Sequence, residues 1–418
     1  MTWRCLLEGD DRELALVRVR EIVQALGDLP HPDLEHPAVA GGSAGTALFH
    51  AYTAQAGLGG GERAEELLGK SVDALAELPL GASLYAGFSG VAWAAEHLAG
   101  PPVPGDDDDP SAEIDAALLE HMQATPWKRD YDLISGLAGF GVYALERVEN
   151  GREAARPVLE RVVDVLAELA VETPGSPGVT WWTSPDLLIP STREQCPEGY
   201  YNCGLAHGVP GNIAVLAGAV AAGVARARPL LGRSVEWLLA QRREAPDGSL
   251  FPSTVDIPPA AAPRGCRAAW CYGDPGIAVA LLWAGQLVDE PSWIATACEV
   301  ARRASGRRDK GAGVIDAGVC HGAAGLALVF DRIWQATGDE AVRDGALFWA
   351  RRTLEMHQPG TGIGGYTSFS PMAEGGNKWI DDPGLLTGSA GIGLALLACA
   401  TEHEPRWDRF LLTSARPR

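Results

Sequence analysis

Runs of small and apolar residues recur along the chain, and each follows a Gly-x-x-Gly element. Stretches such as residues 277–283 and 326–330 have no polar face, which is typical of helices that are buried on all sides. We therefore predict seven inner helices, each beginning at its own glycine element. The first glycines of these elements are Gly42, Gly87, Gly136, Gly208, Gly273, Gly322 and Gly388.

Between these runs lie amphipathic stretches, for example residues 153–169, 229–242 and 340–356. Charges at helical spacing predict outer helices with one face in solvent. Such a helix cannot bury its apolar face alone, and stacking the pairs into a closed ring solves this problem. We expect an all-α fold, an α/α toroid with a double ring of seven inner and seven outer helices, in which residues 1–418 form a single domain.

The glycines are expected to place all loops before the inner helices at one end of the ring. The first glycine of each element would allow a tight turn, and the second would allow close approach of two backbones. At the two positions before the first glycine, thiols and imidazoles occur in repeats four, five and six alone. These residues are His207, Cys271, Cys320 and His321. Equivalent positions in neighbouring repeats converge, so we expect the four side chains to share one pocket.

A zinc site is predicted from three of these residues, Cys271, Cys320 and His321. Two thiolates and an imidazole form a soft ligand set that favours zinc over magnesium or calcium. Three protein ligands leave a fourth position for water or substrate, as in catalytic zinc sites. One alternative is a closed structural site, with Cys203, Cys266 or His357 as its fourth ligand. Another is a group of three buried residues that hold no metal.

Four further residues are candidates for catalysis. His207 would serve as an acid–base group or as a fourth ligand, and Asp132, four residues before Gly136, is placed to orient its ring. Arg267 would stabilise a developing anion or pair with an acidic neighbour. Tyr272 would donate a proton or a hydrogen bond, or pack through its ring.

The composition of the chain limits which kinds of molecule the protein is expected to bind. With 34 basic and 54 acidic residues the net charge is -20, which makes nucleic acid an unfavourable partner. The longest uncharged stretches are diluted by polar residues, so membrane contact would be at most peripheral. The start of the chain has no signal-peptide pattern, and we expect a cytoplasmic protein. Long loops at residues 173–203 and 246–267 predict a lid or a peptide-binding rim.

Three motifs in this order resemble those of the lanthionine synthetase C-like cyclases. They are Gly-x-Ala-His-Gly-x-x-Gly at residues 204–211, Arg-x-Ala-Trp-Cys-Tyr-Gly-x-x-Gly at residues 267–276, and Cys-His-Gly-x-x-Gly at residues 320–325. Through the sevenfold repeat the resemblance covers essentially the whole chain. It implies an α/α toroid whose zinc ligands are Cys271, Cys320 and His321. It also implies catalytic or supporting roles for His207, Asp132, Arg267 and Tyr272.

The same resemblance implies a reaction, in which a peptide cysteine adds to dehydroalanine or dehydrobutyrine and closes a thioether ring in a ribosomally made precursor peptide. In its length the chain resembles the free-standing type of these cyclases. We therefore expect two partners, a separate dehydratase and the dehydrated, leader-bearing precursor peptide. An alternative is a relative with the same fold and zinc motif that binds glutathione or adds thiols without cyclising peptides. A toroidal glycosidase with paired carboxylates is disfavoured, because the aligned positions carry thiols and imidazoles.

Overall fold

The chain folds as the predicted α/α toroid. A computed structural model describes residues 3–27, 29–30, 32–103, 105, 108–258, 265–308, 310–371 and 376–417. The outer helices in this part of the chain are α1 (Gly9–Gly27), α3 (Gly61–Glu77), α5 (Ala112–His121), α7 (Arg156–Leu169), α10 (Ala227–Ala240), α12 (Pro291–Ser305) and α14 (Glu340–Glu355). The inner helices are α2 (Ser43–Gln55), α4 (Phe88–Ala99), α6 (Leu137–Glu149), α9 (Val209–Ala221), α11 (Asp274–Leu287), α13 (Ala323–Thr337) and α15 (Ser389–Ala400).

Burial separates the two rings as the hydrophobic pattern predicts. Every residue of α15 is buried, whereas α7 buries one face that includes Val158, Val162 and Leu166. The three outer helices predicted at residues 153–169, 229–242 and 340–356 are present, and none of their ends is shifted by more than three residues. Helix ends fray, and their position depends on capping more than on the apolar pattern.

Backbone hydrogen bonds between successive loops close the ring at one end. An N–H of each loop donates to a carbonyl of the next loop, at N···O distances of 2.8–3.4 Å. The donor–acceptor pairs are Ala40–Tyr85, Tyr85–Ile134, Leu133–Ala206, Ala206–Cys271, Cys271–Cys320, Cys320–Leu386 and Leu386–Ala40. We call the residues two positions before each first glycine the register layer: Ala40, Tyr85, Ile134, Ala206, Cys271, Cys320 and Leu386. The sulfur-bearing residues of the candidate site belong to this layer.

Close approach explains the repeated glycines better than turn geometry does. A Cβ added at the second glycine of any element would lie 1.8–2.6 Å from the carbonyl oxygen six residues earlier. A Cβ at the first glycine would lie 2.0–2.4 Å from another backbone atom. Tight turns are present before the inner helices: the N–H groups of Gly42, Gly87, Gly136 and Gly322 each donate to the carbonyl oxygen four residues earlier, at 2.9–3.2 Å. Gly273 adopts a left-handed conformation, with φ +94°. The backbone at the other first glycines is extended, and steric contact is what excludes a side chain there.

Two small antiparallel sheets and a short helix were not predicted. Strands β1 (Trp182–Thr183), β2 (Tyr200–Asn202) and β3 (Thr254–Asp256) form one sheet in that order, and β4 (Ser368–Pro371) pairs with β5 (Asn377–Ile380). The first sheet and helix α8 (Pro190–Gln195) arise from the two loops predicted as a rim. Residues 259–264 of the second loop lie outside the described residues.

Membrane-spanning helices were searched for among the described residues. None of these helices has both the length and the apolar character that crossing a bilayer requires.

Candidate metal and acid–base site

Cys271, Cys320 and His321 meet at the end of the ring where the loops are joined. One ligand atom from each lies within 4.8 Å of the others. The Nδ1 atom of His321 is buried and has no hydrogen-bond partner among the described residues, and an orphaned buried nitrogen of this kind calls for an explanation. Two sulfur atoms and an imidazole nitrogen form a donor set that fits a soft or borderline metal ion.

The three residues considered as a fourth ligand lie outside this group in the described part of the chain. The Cys266 Sγ atom is 3.0 Å from the Ser253 hydroxyl, and burial raises the pKa of Cys266 to about 11. Burial also raises the pKa of the Cys203 thiol. His357 pairs instead with Glu21, with an Nε2–Oε2 distance of 3.2 Å. Three candidate ligands therefore come together, without a fourth from these residues.

Hydrogen bonding and nearby positive charge favour the thiolate form of Cys271. A hydrogen bond from Cys320 lowers the pKa of Cys271 well below its usual value, and His321 and Arg267 lower it further against the opposing effect of burial. The Arg267 Nη2 atom lies 3.6 Å from the Cys271 Sγ atom. Arg267 thus contacts the Cys271 sulfur itself, and stabilisation of a developing anion and pairing with an acidic neighbour both stay predictions.

His207 and Asp132 form the hydrogen-bonded pair that the sequence suggested. The His207 Nδ1 atom is 2.6 Å from Asp132 Oδ2, and Asp132 Oδ1 accepts the Ser135 N–H at 2.8 Å. Burial lowers the pKa of His207, but the hydrogen bond to Asp132 and its charge raise the pKa more, so the net shift is upward. A carboxylate accepts only, so Nδ1 carries a proton and Nε2 remains available for other partners.

Tyr272 lies beside this pair and has a partner that sequence reasoning missed. Its ring stacks on His207 with centroids 5.9 Å apart. The Asn202 Nδ2 group donates to the Tyr272 hydroxyl oxygen at 2.9 Å, while Asn202 Oδ1 accepts the Gly204 N–H at 2.8 Å. Asn202 therefore holds the Tyr272 oxygen through its side-chain nitrogen and the backbone of its own loop through its side-chain oxygen.

A repeat signal could have revealed Asn202. It stands six residues before Gly208, and Asp316 and Asp382 stand at the equivalent positions of two other repeats. Their carboxylates likewise accept the N–H two residues later, at 3.1 and 2.7 Å. The residue six positions before the first glycine thus holds the loop in several repeats. Its second polar atom makes a contact that differs between repeats: to the Tyr272 hydroxyl in Asn202, the Phe369 N–H in Asp316 and the Thr387 hydroxyl in Asp382.

A cavity of about 210 Å³ opens beside His207. Its other walls come from the rim loop before α8 and from β2, and they include Leu187, Leu188, Ile189 and Tyr200. Arg193 braces this rim, because its guanidinium donates to the carbonyl oxygens of Pro185, Asp186 and Leu188 at 2.8–3.3 Å. The imidazole thus faces a space bordered by both polar and apolar groups.

Comparison with known proteins places the chain in a family. Residues 35–412 match the family described as lanthionine synthetase C-like protein. A curated relative, nisin biosynthesis protein NisC from Lactococcus lactis subsp. lactis, is 25% identical over 264 residues, which cover 58% of this chain and 60% of that protein. The matched region therefore spans less than two thirds of the relative. A solved structure named nisin cyclase superposes with a TM-score of 0.69 at 20% identity, covering 94% of this chain and 96% of that chain. The family match across most of the sequence, on a toroid of the same kind, shows that this chain belongs to the lanthionine synthetase C-like family.

Proposed function

We propose that the chain is a zinc-dependent lanthionine synthetase that adds peptide cysteine thiolates to dehydroalanine or dehydrobutyrine and closes thioether rings in a ribosomally made precursor peptide. The observation that carries this proposal is the meeting of two thiols, two imidazoles and Arg267 at one end of the ring. Family membership supports a cyclase of this type.

Zinc suits the donor set of Cys271, Cys320 and His321, which would hold it through two sulfur atoms and one nitrogen. When bound, zinc would lower the pKa of a substrate thiol and so make thiolate available at neutral pH. Arg267 would keep Cys271 anionic by its fixed positive charge, 3.6 Å from the sulfur.

The reaction is a net addition of S–H across a carbon–carbon double bond. The substrate sulfur, having lost its proton, bonds to the β-carbon, and the electron pair of the alkene moves into the amide as an enolate. Protonated His207 would then deliver a proton to the α-carbon. The proton lost from sulfur passes to solvent, and His207 takes one back from solvent, so the addition balances. Asp132 would stabilise the imidazolium through its 2.6 Å hydrogen bond.

Tyr272 would stabilise the enolate. Asn202 donates to the Tyr272 oxygen, so the phenol O–H itself stays free to donate to a developing oxyanion. A donor that is already oriented needs no reorganisation when the charge appears. The cavity beside His207, with its braced rim, would position the flanking residues of the peptide.

The partners follow from the proposed reaction. The substrate would be a dehydrated precursor peptide with its leader, and a separate dehydratase would supply it in the cytoplasm. Nucleic acid is not among the proposed partners, in keeping with the net charge of -20. Membrane contact would be at most peripheral.

The test uses the purified full chain and a dehydrated peptide that contains a cysteine. Loss of free thiol is followed by alkylation and mass spectrometry for the wild type, Cys320→Ala and His207→Ala, with His357→Ala as the matched histidine control. We expect ring closure in the wild type and control, and rates lower by about 10²–10⁴-fold in His207→Ala. Undiminished thioether yield above the spontaneous background in metal-free Cys320→Ala would refute the proposal. Glutathione binding without any peptide turnover would favour the alternative family role.

A further inference from the structure

The C-terminal segment fills the centre of the toroid. We call residues 405–412, which include a 3₁₀ turn at Arg406–Leu411, the C-terminal plug. Trp407, Phe410, Leu411 and Leu412 are each at most 1% exposed. Trp407 and Phe410 are large aromatic residues, and their complete burial shows that the segment is an integral part of the core.

Ion pairs anchor the plug to the inner helices. The Arg332 guanidinium on α13 binds both carboxylate oxygens of Asp408, at 2.6 and 3.0 Å. Arg409 lies 3.4 Å from Glu146, near the end of α6. Leu412 adopts φ +56°, a left-handed conformation that non-glycine residues rarely take. Such a conformation persists only where surrounding contacts hold it, so the path of the plug is strictly specified.

The tip of the plug accepts two hydrogen bonds from buried aromatic side chains. The Tyr85 hydroxyl donates to the Phe410 carbonyl at 3.1 Å, and the Trp270 indole N–H donates to the Leu411 carbonyl at 2.9 Å. The centroids of the Phe410 and Tyr85 rings are 4.4 Å apart. Tyr85 and Trp270 are 1% and 0% exposed, so neither donor has water as a substitute partner.

These two aromatic residues connect the plug to the candidate metal ligands. Tyr85 belongs to the register layer together with Cys271 and Cys320, and Trp270 directly precedes Cys271 in the chain. The Tyr85 and Trp270 rings also stack on each other, with their centroids 6.2 Å apart. Tyr85 therefore packs against the residue that precedes Cys271, and both aromatic residues lie on the side of the register layer that the plug contacts.

We propose that the C-terminal plug is the floor of the metal centre and sets its metal affinity through Tyr85 and Trp270. Both are positioning residues, since they contact the plug and the ligand-bearing loops but not the group of ligand atoms. Ligands that are held in place lose less freedom when a metal binds, and residues that orient ligands typically alter affinity by 10–100-fold when replaced. The inference rests on the metal site of the proposed function but not on the reaction.

The test measures metal affinity of the full chain without any peptide. Tyr85→Phe and Trp270→Phe each remove one donor and keep an aromatic ring. Their matched controls are Tyr366→Phe, whose hydroxyl donates to the Thr353 carbonyl at 3.2 Å, and Trp181→Phe, whose N–H donates to the Leu166 carbonyl at 2.9 Å. Zinc affinity is read by competition with a chromophoric chelator, and ligand geometry by the absorption bands of the cobalt-substituted protein.

We expect zinc affinity to fall by about 10–100-fold in Tyr85→Phe and Trp270→Phe, with altered cobalt bands, while both controls bind like the wild type. Affinities and spectra that match those of the controls at equal thermal stability would overturn the inference. A wild-type protein that binds no zinc would overturn the metal site and this inference together. A wild-type protein that binds zinc but does not cyclise peptides would overturn the proposed reaction alone, and the affinity comparison would still decide the role of the plug.

Discussion

The His207 imidazole and the Asp132 carboxylate belong to adjacent repeats, are 75 residues apart in sequence, and meet at 2.6 Å. Each occupies the loop before an inner helix, and the ring of backbone hydrogen bonds brings these loops together. The repeat architecture is therefore what assembles the acid–base pair.

Asp132→Asn should shift the pH dependence of cyclisation. The carboxylate raises the pKa of His207, and the proposed donor is the protonated imidazole, so the rate falls as the pH rises through this pKa. Without the negative charge, the falling limb should move to lower pH, and the rate at neutral pH should fall. The measurement is the pH profile of thiol loss under single-turnover conditions. Asp186→Asn, at an exposed rim position, serves as the charge control, and an unchanged limb in Asp132→Asn would contradict the assignment.

Asp408→Asn should destabilise the fold through the C-terminal plug. Asp408 is fully buried and paired with Arg332, and breaking a buried ion pair from one side typically costs about 3–5 kcal/mol. The double variant Arg332→Met/Asp408→Leu removes both buried charges, and Glu404, which also pairs with Arg332, is exposed enough to be solvated. It should therefore lose less stability. Urea unfolding measures both, and Asp164→Asn, in the exposed pair with Arg226, should change the free energy of unfolding by less than about 1 kcal/mol. A double variant that is less stable than Asp408→Asn would argue against this account.

Asp331 should make the free energy of unfolding fall as the pH rises. Complete burial raises its pKa to about 8, whereas an unfolded chain titrates near ~3.9. Between these two pKa values the folded state binds more protons than the unfolded state. The contribution of Asp331 to the free energy of unfolding is therefore full at low pH and is lost progressively up to about pH 8. Asp331→Asn should remove a slope of up to about 1.4 kcal/mol per pH unit.

The measurement for Asp331 is denaturant unfolding at a series of pH values from 4 to 8, chosen to span the two pKa values. The control is Asp344→Asn on the exposed face of α14, which should leave the slope as it is in the wild type. Equal slopes in Asp331→Asn and the wild type would show that the carboxyl titrates normally.

Gly325→Ala and Gly232→Ala should have opposite effects on stability. A Cβ at Gly325 would lie 1.8 Å from the Val319 carbonyl oxygen, whereas at Gly232, within outer helix α10, it would meet nothing within 4 Å. We expect Gly325→Ala to lose at least about 1–3 kcal/mol by overpacking. Gly232→Ala should gain about 0.5–1 kcal/mol from helix propensity. Thermal unfolding of the two variants compares them directly, and a stable Gly325→Ala protein would disprove the close approach.

Much of the architecture could be predicted because it repeats. The glycine elements marked the start of every inner helix, and their register indicated that Cys271, Cys320 and His321 would converge. The strands and α8 could not be predicted in this way, since they lie in single, unrepeated loops rich in glycine and proline. The close backbone contacts at the first glycines could not be predicted either, because the sequence does not show which backbone atoms will face them.

The amino-acid sequence by itself determined the toroid, the order of its helices and the chemical types gathered at one end, since apolar periodicity and repeat register act locally and recur. Only the tertiary structure decided which partner each polar group has. Asn202 reaches Tyr272 from 70 residues away, and the C-terminal plug reaches Trp270 from 141 residues away. Contacts of this kind depend on the closure of the ring, and no local pattern in the chain specifies them.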